Sequence, residues 1–527
     1  MTNAPTIDVA IIGLGPVGAT LANLLGARGI QTIAIERDVE VHPRPRAVVL
    51  DHEAMRSFQH LGLVDRVLPH TAIFDRSIYY GLDGKIIKKL ITAAPPYALG
   101  WCPNYLFSQP AVDQLLRDGA KARTTVEVRL GSKVTNVSQD ADAVTLTVSA
   151  PDGSTETICA RYVVACDGGS SPIRRRLGIG FDDLDFDEPW LVVDAIVDAA
   201  HLPNLPRTNV QYCEPARPST HVIGPGQHRR WELMLMPGET PEEMNQEARI
   251  WKVLSRWISP DNAKLWRSST YRFHALVARQ WHQGRIILAG DAAHMTPPFL
   301  GQGMCQGLRD AANLAWKLDL ILRQDAPAEP LLASYKDERA PHVRATTQAA
   351  KDLGRIICEL DPAKAAIRDG ALLADPGGIE RVRQSLIPDL SGGILSRRDK
   401  SKSVGAIFPQ PRVRHAGRET LLDEVTGVGF RLVSRGEDIS ALAGDPRVKR
   451  LGVTLATTGA AVPAGVVGID ECDGVLGDWF DRYGAAIVLV RPDHYVFGTG
   501  ATVDDGSALL DELSGMLFAG AGPPSLA

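Results

Sequence analysis

Three glycines near the start of the chain have the spacing of a dinucleotide-binding loop. Gly13, Gly15 and Gly18 directly follow the apolar run 7–12, and alanines and leucines at helical spacing come after them. Glycines allow a tight turn and let the backbone approach a pyrophosphate, which the N-terminus of the following helix stabilises. Glu36 ends the next apolar run, where its carboxylate would accept hydrogen bonds from an adenosine ribose. The pattern predicts a βαβ unit that binds a dinucleotide, although glycines also serve plain strand-to-helix turns.

A second group of polar residues follows the strand-like segment RYVVA. Residues 166–174 have the sequence CDGGSSPIR, so that Asp167 comes at the end of a strand and a short helix begins soon after it. The arginines of this helix, Arg174, Arg175 and Arg176, can neutralise phosphates through paired hydrogen bonds. A solvated run of charge is the alternative interpretation of these arginines taken alone.

A third candidate segment, residues 290–304, has the sequence GDAAHMTPPFLGQGM. Asp291 ends a strand-like run, and prolines and glycines then form a turn before a well-patterned helix. The N-terminus of such a helix stabilises negative charge on a ligand. Because the three segments are far apart in the sequence, a shared ligand requires the fold to bring them together.

Length and composition indicate a large globular chain. The 527 residues suggest about three domains of roughly 150 residues each. A net charge of −5 and an apolar fraction of 44% argue against a disordered chain and against a nucleic-acid binder, which carries a basic excess. Strand-like runs alternate with turns at 126–164 and again at 181–280, and the second region predicts a mostly antiparallel sheet. Strands and turns return from Ala406, which predicts a separate C-terminal α/β domain.

The spacing of the cysteines and the N-terminal sequence indicate the cellular compartment. The seven cysteines are widely spaced without a C-x-x-C pair, which favours free thiols in a reducing cytosol over a disulfide framework or a zinc site. Clustered metal ligands are missing from the sequence, so we expect no metal. The opening MTNAPT lacks the features of a signal peptide, and no apolar run is long enough to cross a bilayer. We therefore expect a cytoplasmic protein that binds neither nucleic acid nor membrane.

In their order and spacing, the three segments resemble the fingerprints of the class A flavin-dependent aromatic hydroxylases, which are single-component FAD monooxygenases. The match rests on GLGPVG, DGGSSPIR and GDAAHMTPPFLGQG, and it extends to RPRAVVLDHEAMRSFQHLGL at 44–63. A narrower resemblance, to the 3-(3-hydroxyphenyl)propionate hydroxylases, rests on residues 212–239, on residues 301–318 and on the C-terminal region.

The resemblance implies an α/β fold with three parts. These are a Rossmann-like FAD-binding domain of the glutathione-reductase type, an inserted, mainly antiparallel substrate sheet, and a C-terminal thioredoxin-like domain without C-x-x-C. Cys472 is the only cysteine after Cys358, which agrees with a domain that lacks a redox pair. The expected bounds are 1–180 and 281–350 for the FAD-binding domain, 181–280 with helices at 350–395 for the substrate sheet, and 400–527 for the C-terminal domain.

The resemblance also assigns the residues that would bind FAD. Arg46 corresponds to a flavin-contacting arginine, Gln109 to a flavin-contacting glutamine, and Asp291 to the group that binds the ribityl hydroxyls. His294 is expected to brace the third segment. The implied cofactor-binding residues are Gly13, Gly15, Pro16, Val17, Gly18, Glu36, Arg37, Arg46, Gln109, Asp167, Asp291, Pro298, Gly301, Gly303 and Met304.

The chemistry that the resemblance implies is oxygen transfer to a phenolic ring. NADH or NADPH would reduce FAD, and O₂ would then form a C4a-hydroperoxyflavin that hydroxylates the substrate. The expected substrate is a small phenolic acid such as 3-(3-hydroxyphenyl)propionate. Tailoring of polycyclic aromatic polyketides, by hydroxylation or a Baeyer–Villiger reaction, is a second interpretation, and a non-catalytic flavin- or NAD-binding module is a third. A homodimer is an open option.

Residues of the substrate region are assigned by region alone. A phenol reacts best as its phenolate, so a group that favours deprotonation is expected near the ring. The candidates for this role are His42, Tyr212 and His221. Arginines can pair with a substrate carboxylate, and apolar side chains can line a pocket. The candidate substrate-binding residues are Arg217, Arg230 and Met234. Ordinary packing or surface positions are the alternative for all six.

Overall fold

The first two strands and the helix between them form the predicted βαβ unit. The computed structural model describes residues 7–459 and 462–518, so the outer ends of the predicted first and last domains lie outside the described residues. The strands Ile7–Ile12 and Thr32–Glu36 are parallel, and the helix Pro16–Ala27 connects them. Both strands are largely buried, as expected for parallel strands with helices on both faces of the sheet.

The βαβ unit belongs to a sheet of eight strands among the described residues. Its parallel members, in spatial order, are Ile286–Leu288, Thr155–Ala165, Ile7–Ile12, Thr32–Glu36 and Val126–Leu130. The antiparallel members are Lys133–Gln139, Val144–Ser149 and His282–Gln283. The helices of this part of the chain are Pro16–Ala27, His52–His60, Val64–Val67, Gln109–Lys121, Pro172–Arg176, Gly303–Arg323 and Ala328–Ile357.

A second sheet of nine strands carries the predicted substrate region. Its order is His294–Met295, Ala263–Ala278, Phe181–Val197, His228–Met234, Ser219–Ile223, Asn209–Tyr212, Arg76–Tyr80, Ile86–Ile91 and Glu380–Val382. Most neighbours are antiparallel, as predicted, and two pairs are parallel. The sheet thus takes strands from before residue 181 and after residue 280, and the domain bounds stay predictions.

The two faces of the nine-stranded sheet have different partners. Along each strand, successive side chains point to opposite faces. One face packs Leu191, Val193 and Trp231 against the helices Pro241–Met244 and Glu247–Leu254. The other face borders a cavity and a second apolar cluster. Whether a side chain points to the helices or to the cavity therefore depends on whether it occupies an odd or an even position along its strand.

The C-terminal part of the chain forms its own mixed sheet. The strands, in spatial order, are Val467–Gly468, Thr454–Thr457, Arg431–Ser434, Ile487–Val490 and Val496–Gly500. The helices of this part are Leu422–Thr426, Pro446–Leu451, Val475–Tyr483 and Val503–Phe518. Together with the two preceding sheets, this arrangement confirms the predicted α/β fold. Cys472 is exposed, and all seven cysteines are free thiols.

Two small sheets and one helix complete the strands and α-helices of the described residues. One sheet contains Val49–Asp51, Asn104–Phe107 and Thr71–Ile73, and the other contains Arg418–Leu421, Arg412–His415 and Asp470–Glu471. The helix Pro362–Leu373 follows the long helix Ala328–Ile357. In the part of the chain that the structure describes, no helix is both long enough and apolar enough to span a bilayer.

A buried ion cluster joins the C-terminal domain to the rest of the chain. Arg56, on the helix His52–His60, donates to both carboxylate oxygens of Asp423 at 2.6 and 2.9 Å, and Arg431 donates to the same carboxylate at 2.5 Å. Burial alone would raise the pKa of Asp423, but the charges of Arg56 and Arg431 outweigh it and hold the pKa well below its usual range.

We expect Asp423→Ala to lower the free energy of unfolding by about 3–5 kcal/mol, because two buried guanidinium groups lose their counter-charge. Denaturant and thermal unfolding near neutral pH measure the change. The depressed pKa means that this stabilisation is present above the unfolded-state pKa of about 4 and is lost as the pH falls below it. The control is Asp481→Ala, whose carboxylate pairs with Arg435 at the surface and should leave the Tm nearly unchanged. A wild-type Tm for Asp423→Ala would contradict the assignment.

Candidate active site

The three sequence segments meet because they follow adjacent parallel strands. Ile12, Ala165 and Leu288 are aligned neighbours in the eight-stranded sheet, and each stands at the carboxyl end of its strand. The glycine loop, Asp167 and Asp291 come directly after these ends. Ligands of open α/β sheets bind outside the carboxyl ends of the strands. The fold therefore brings all three segments, residues 13–18, 166–174 and 290–304, together at one edge, and they are called the flavin segments below.

The glycine loop fits the pyrophosphate of a dinucleotide. Gly13 has a φ of 95°, and a Cβ at this position would approach the carbonyl oxygen of Cys166 to 2.5 Å. A Cβ on Gly18 would collide with the carbonyl oxygen of Gly13. At Gly15, by contrast, the space that a Cβ would occupy is open. The helix that begins at Pro16 has no side-chain cap, so its first N–H groups are free to bind a phosphate.

Glu36 and Arg37, at the end of the second strand, point in different directions. The carboxylate of Glu36 accepts hydrogen bonds from the backbone N–H groups of Leu14 at 2.7 Å and Asp38 at 3.0 Å, and Arg117 lies 3.7 Å away. This places an acidic group beside the glycine loop, where the sequence predicted it. Arg37 is exposed and lies 3.6 Å from Asp38, with its side chain in solvent.

Val17 connects the first segment to the third. Its side chain packs between Gly290 and Gly307, and a Cβ on Gly290 would approach Val17 Cγ2 to 2.9 Å. Only residues without a side chain allow this close approach of the helix Gly303–Arg323 to the helix that starts at Pro16. The contact fixes the distance between the two halves of the site.

A buried carboxylate braces the loop that contains Asp291. Asp310 accepts from the backbone N–H of Gly290 at 3.0 Å, from Nε2 of His294 at 2.7 Å and from Nε of Arg339 at 2.9 Å. His294 is thus placed in the bracing position expected for it. Asp291 itself accepts no hydrogen bond from the described residues and opens onto the cavity, yet the surrounding protein desolvates it and raises its pKa.

Asp167 and Arg174 connect the second segment to its neighbours. Asp167 accepts from the backbone N–H of Ile173 at 3.2 Å, and its other carboxylate oxygen is buried without a partner among the described residues. Burial raises the pKa of Asp167. Arg174 donates to the carbonyl oxygens of Gly169 and Ala292 at 3.0 and 3.2 Å, so it joins the second and third segments rather than facing solvent.

Gln109 anchors the loop that carries Arg46. Its Oε1 accepts from the backbone N–H groups of Arg46 at 2.8 Å and Ala47 at 2.7 Å, and its amide nitrogen donates to Asp113 at 3.1 Å. Burial raises the pKa of Asp113 to about 6. Gln109 is itself buried, so its role in this structure is to hold the loop, while the side chain of Arg46 remains free at the cavity.

Two arginines of the nine-stranded sheet hold the same loop from the other side. Arg230 donates to the carbonyl oxygens of Pro45 at 2.7 Å and Arg46 at 2.8 Å, and Arg267 also donates to Pro45. Arg230 further makes two hydrogen bonds to Asp194, at 2.8 and 3.0 Å. Burial alone would raise the pKa of Asp194, but Arg230 and the hydrogen bond from His228 lower it. The loop is thereby fixed to the substrate sheet.

A cavity of about 320 Å³ lies between the third segment and the loop of Arg46 on one side and the nine-stranded sheet on the other. The predicted cofactor-binding residues along it are Arg46, Asp291, Pro298, Gly301, Gly303 and Met304. The opposite wall is formed by alternate residues of the sheet, namely Ser77, Val192, Asn209, Gln211, Thr220, Val222, Arg230, Glu232, Tyr271 and Phe273. The cavity therefore joins the predicted flavin site to a substrate-sized space.

Of the six residues that the sequence assigned to the substrate region, five do not line this cavity. His221 lies on the opposite face of its strand and packs against Trp231, because its neighbours Thr220 and Val222 take the cavity face. Tyr212 likewise packs on Trp257. Arg217 forms a two-point ion pair with Glu239.

Of the other three candidate residues, two lie away from the cavity and one lines it. Met234 lies in the apolar cluster beside Trp190 and Phe299 rather than along the cavity. His42 lies in the exposed loop before Arg46, and desolvation together with the charge of Arg46 lowers its pKa. Arg230 does line the cavity, but four of its N–H donors are already used by Asp194 and the loop carbonyls.

Several cavity residues were not singled out from the sequence. Glu232, Gln211 and Thr220 form a polar wall, and Arg383 reaches the cavity from a segment far along the chain. For Glu232, Gln211 and Thr220, the alternation of side chains along each strand indicates which residues share a face. In RRWELMLMP, Arg230 and Glu232 must share one face while Trp231 takes the other.

Comparison with known proteins agrees with this site. Residues 6–350 match a family model described as FAD binding domain, and residues 405–515 match one described as HcaD C-terminal domain. A probable NADH-specific resorcinol 4-hydroxylase of Rhodococcus jostii (strain RHA1) is 36% identical over 96% of this chain and 94% of its own length. A 3-(3-hydroxy-phenyl)propionate/3-hydroxycinnamic acid hydroxylase of Escherichia coli (strain SMS-3-5 / SECEC) is 33% identical over the same shares of the two chains.

The fold is also that of a solved flavoenzyme. The crystal structure of aklavinone-11 hydroxylase in a ternary complex with FAD and aklavinone superposes with a TM-score of 0.78 at 22% identity, and covers 98% of this chain and 100% of that one. At this identity the likeness concerns the fold.

We expect Asp291→Ala to retain much less FAD than the wild type while keeping its fold. The carboxylate opens onto the cavity and accepts no hydrogen bond from the described residues, so its removal breaks no hydrogen bond among them. The ratio of flavin to protein absorbance after gel filtration measures retention, and circular dichroism reports the fold. Asp352→Ala, whose carboxylate pairs with Arg355 on a helix surface, is the control. Equal FAD occupancy in Asp291→Ala and the wild type would overturn the assignment.

Proposed function

This chain belongs to the FAD-dependent aromatic hydroxylases, and on that premise we propose that it hydroxylates a small phenolic compound with NADH and O₂. The observation that carries the proposal is the cavity between the third segment, the loop of Arg46 and the nine-stranded sheet, which has apolar walls and a polar patch. The phenolic acid 3-(3-hydroxyphenyl)propionate, expected from the sequence, and resorcinol are the two candidate substrates, since the relatives named above act on these two kinds of compound.

The residues along the glycine loop would hold the cofactor. The free N–H groups after Gly15 would bind its pyrophosphate, Glu36 its ribose and Asp291 its ribityl chain. When bound, FAD supplies the transfer of electrons from the nicotinamide and of one oxygen atom to the ring. The protein contributes binding, orientation and the exclusion of water from the cavity.

The walls of the cavity suit an aromatic ring. Phe299 makes edge-to-face contacts with Trp190 and Phe273, with ring centroids 5.6 and 6.0 Å apart, and Phe273 and Phe299 line the cavity. Aromatic side chains in this arrangement form a rigid apolar surface against which a phenol can pack. Gln211, Thr220 and Glu232 provide the hydrogen-bonding groups on the opposite side.

Tailoring of polycyclic polyketides remains the second candidate function. The observation that favours it is the fold shared with aklavinone-11 hydroxylase. Two near-full-length relatives named for small phenols support the first candidate more directly. A cytoplasmic location, which is expected from the sequence, belongs to the proposal. A homodimer is the open option that the sequence left, and light scattering after gel filtration measures the oligomeric state.

NADH oxidation by the purified holoenzyme tests the substrate class. We expect resorcinol, phenol or 3-(3-hydroxyphenyl)propionate to stimulate NADH oxidation and to yield a ring-hydroxylated product, with NADH preferred to NADPH. Mass spectrometry of the products identifies the added oxygen, and ¹⁸O₂ shows its source. Stimulation by polycyclic quinones and by none of the small phenols would support the second candidate instead.

The hydrogen bonds by which Gln109 holds the Arg46 loop lead to a separate prediction. We expect Gln109→Ala to release severalfold more hydrogen peroxide per NADH consumed, because the loop loses two backbone hydrogen bonds and places Arg46 less firmly. Peroxide and product are measured in the same reaction.

The matched control for this prediction lies on the same helix. Gln114 donates to Asp118 away from the cavity, so Gln114→Ala should keep the wild-type ratio of product to NADH. An unchanged ratio in Gln109→Ala would show that its hydrogen bonds to the loop do not matter for coupling.

A further inference from the structure

One row of directly opposed residues crosses the cavity face of the nine-stranded sheet. Gln211 is opposite Thr220, Thr220 is opposite Glu232, and Glu232 is opposite Val192. Opposed side chains on one face lie close enough to act on the same ligand. All four residues line the cavity, so the row presents a short polar strip that ends at an apolar residue.

Glu232 is the unusual member of this row. Its carboxylate accepts no hydrogen bond from any described residue, and the nearest cation, Nη1 of Arg230, lies 3.9 Å away. The residue is 7% exposed, and it lines the cavity. A buried carboxylate without hydrogen bonds is costly, and here burial raises its pKa. A hydroxyl group in the cavity would satisfy it.

The neighbours of Glu232 favour a hydroxyl over an anion. Thr220 donates its hydroxyl to Oε1 of Gln211 at 2.5 Å, which leaves the amide nitrogen of Gln211 without an acceptor among the described residues. The strip therefore offers one acceptor, Glu232, and one donor, Gln211. A ring hydroxyl both donates and accepts, so it can bond to such a pair.

The arginines of the cavity are poorly placed to receive a substrate carboxylate at this strip. Arg230 and Arg267 share Asp194, and both donate to the carbonyl oxygen of Pro45. Arg383 donates to the carbonyl oxygen of Leu300.

The two remaining arginines lie elsewhere along the cavity. Arg272 pairs with Asp187 at the surface, 2.6 Å away, and Arg46 lies near Asp291 at the flavin end. A carboxylate beside Glu232 would instead meet a like charge, which disfavours binding.

We propose that Glu232 accepts a hydrogen bond from a ring hydroxyl of the substrate and thereby selects phenols that carry a second hydroxyl over phenols that carry a carboxylate at that end. The inference rests on the proposed function, the hydroxylation of a small phenol, and names the substrate class within it. Glu232 is then a substrate-binding residue that the strand alternation places opposite Thr220.

Binding to the oxidised holoenzyme tests the proposal. Dissociation constants for resorcinol, phenol and 3-(3-hydroxyphenyl)propionate are measured by equilibrium dialysis and by the change in flavin absorbance. We expect the wild type to bind resorcinol about tenfold or more tightly than phenol, as for a hydrogen bond to a charged group. In Glu232→Gln, most of that preference should disappear, and 3-(3-hydroxyphenyl)propionate should bind more tightly than it does to the wild type.

Two further variants make the result decisive. Glu214→Gln removes a carboxylate that pairs with Arg256 outside the cavity, and it should keep the wild-type preference. Glu232→Asp, which keeps the charge but draws it back, should give an intermediate preference and replaces Glu232→Gln if that variant loses FAD.

Two outcomes contradict the role of Glu232 alone. These are an unchanged resorcinol-to-phenol ratio in Glu232→Gln, and a wild type that binds phenol as tightly as resorcinol. If the wild type hydroxylates none of the three phenols, the proposed function itself is wrong. The hydroxylation assay on the wild type therefore separates the two failures.

Discussion

The buried carboxylate of Asp194 is the interaction on which the geometry of the active site depends. Arg230 and Arg267 lie side by side in the cavity wall, almost without solvent exposure, and two such cations cannot be buried together without an anion. Asp194 supplies that anion, with His228 as a further donor at 2.7 Å. Because Asp194 balances their charge, both arginines can also donate hydrogen bonds to the carbonyl oxygen of Pro45. The loop that carries Arg46 is therefore held by the substrate sheet as well as by Gln109.

This arrangement joins two sheets that have no strands in common. The eight-stranded sheet fixes the flavin segments, since Ile12, Ala165 and Leu288 end side by side. The nine-stranded sheet fixes the substrate wall through the alternation of its side chains. A ring that reacts with a flavin must lie at a set distance from it, and small errors in placement are costly for the rate. The contacts of Arg230 and Arg267 with the loop set the distance between the two sheets at the point where that reaction would occur.

The sequence indicates the segments of the flavin half of the site more directly than the side chains of the substrate half, of which only Arg230 was both assigned and found along the cavity. Gly13, Gly18 and Asp291 follow from local patterns, because the spacing of the glycines and the place of the acidic residue after a strand can be seen in a short stretch of sequence. His221 and Tyr212 were chosen by region, and each lies one residue away from a position on the cavity face. In a strand, that single step moves the side chain to the other side of the sheet. Arg383 could not have been found at all, since nothing in its local sequence indicates that its segment returns to the cavity.

The C-terminal domain lacks a redox pair of cysteines, and its contacts indicate what it contributes instead. Tyr495 donates to Glu53 at 3.0 Å, and Glu53 in turn accepts from Arg309 on the helix Gly303–Arg323. Further along the same helix, Asn313 and Trp316 donate to Asp493 at 2.9 and 3.1 Å. The N-terminal residues of this helix, Gly303 and Met304, line the cavity. Because these bonds are buried or partly buried and involve charged groups, they help to hold the helix in place, so the position of its N-terminus depends on a domain that does not line the cavity.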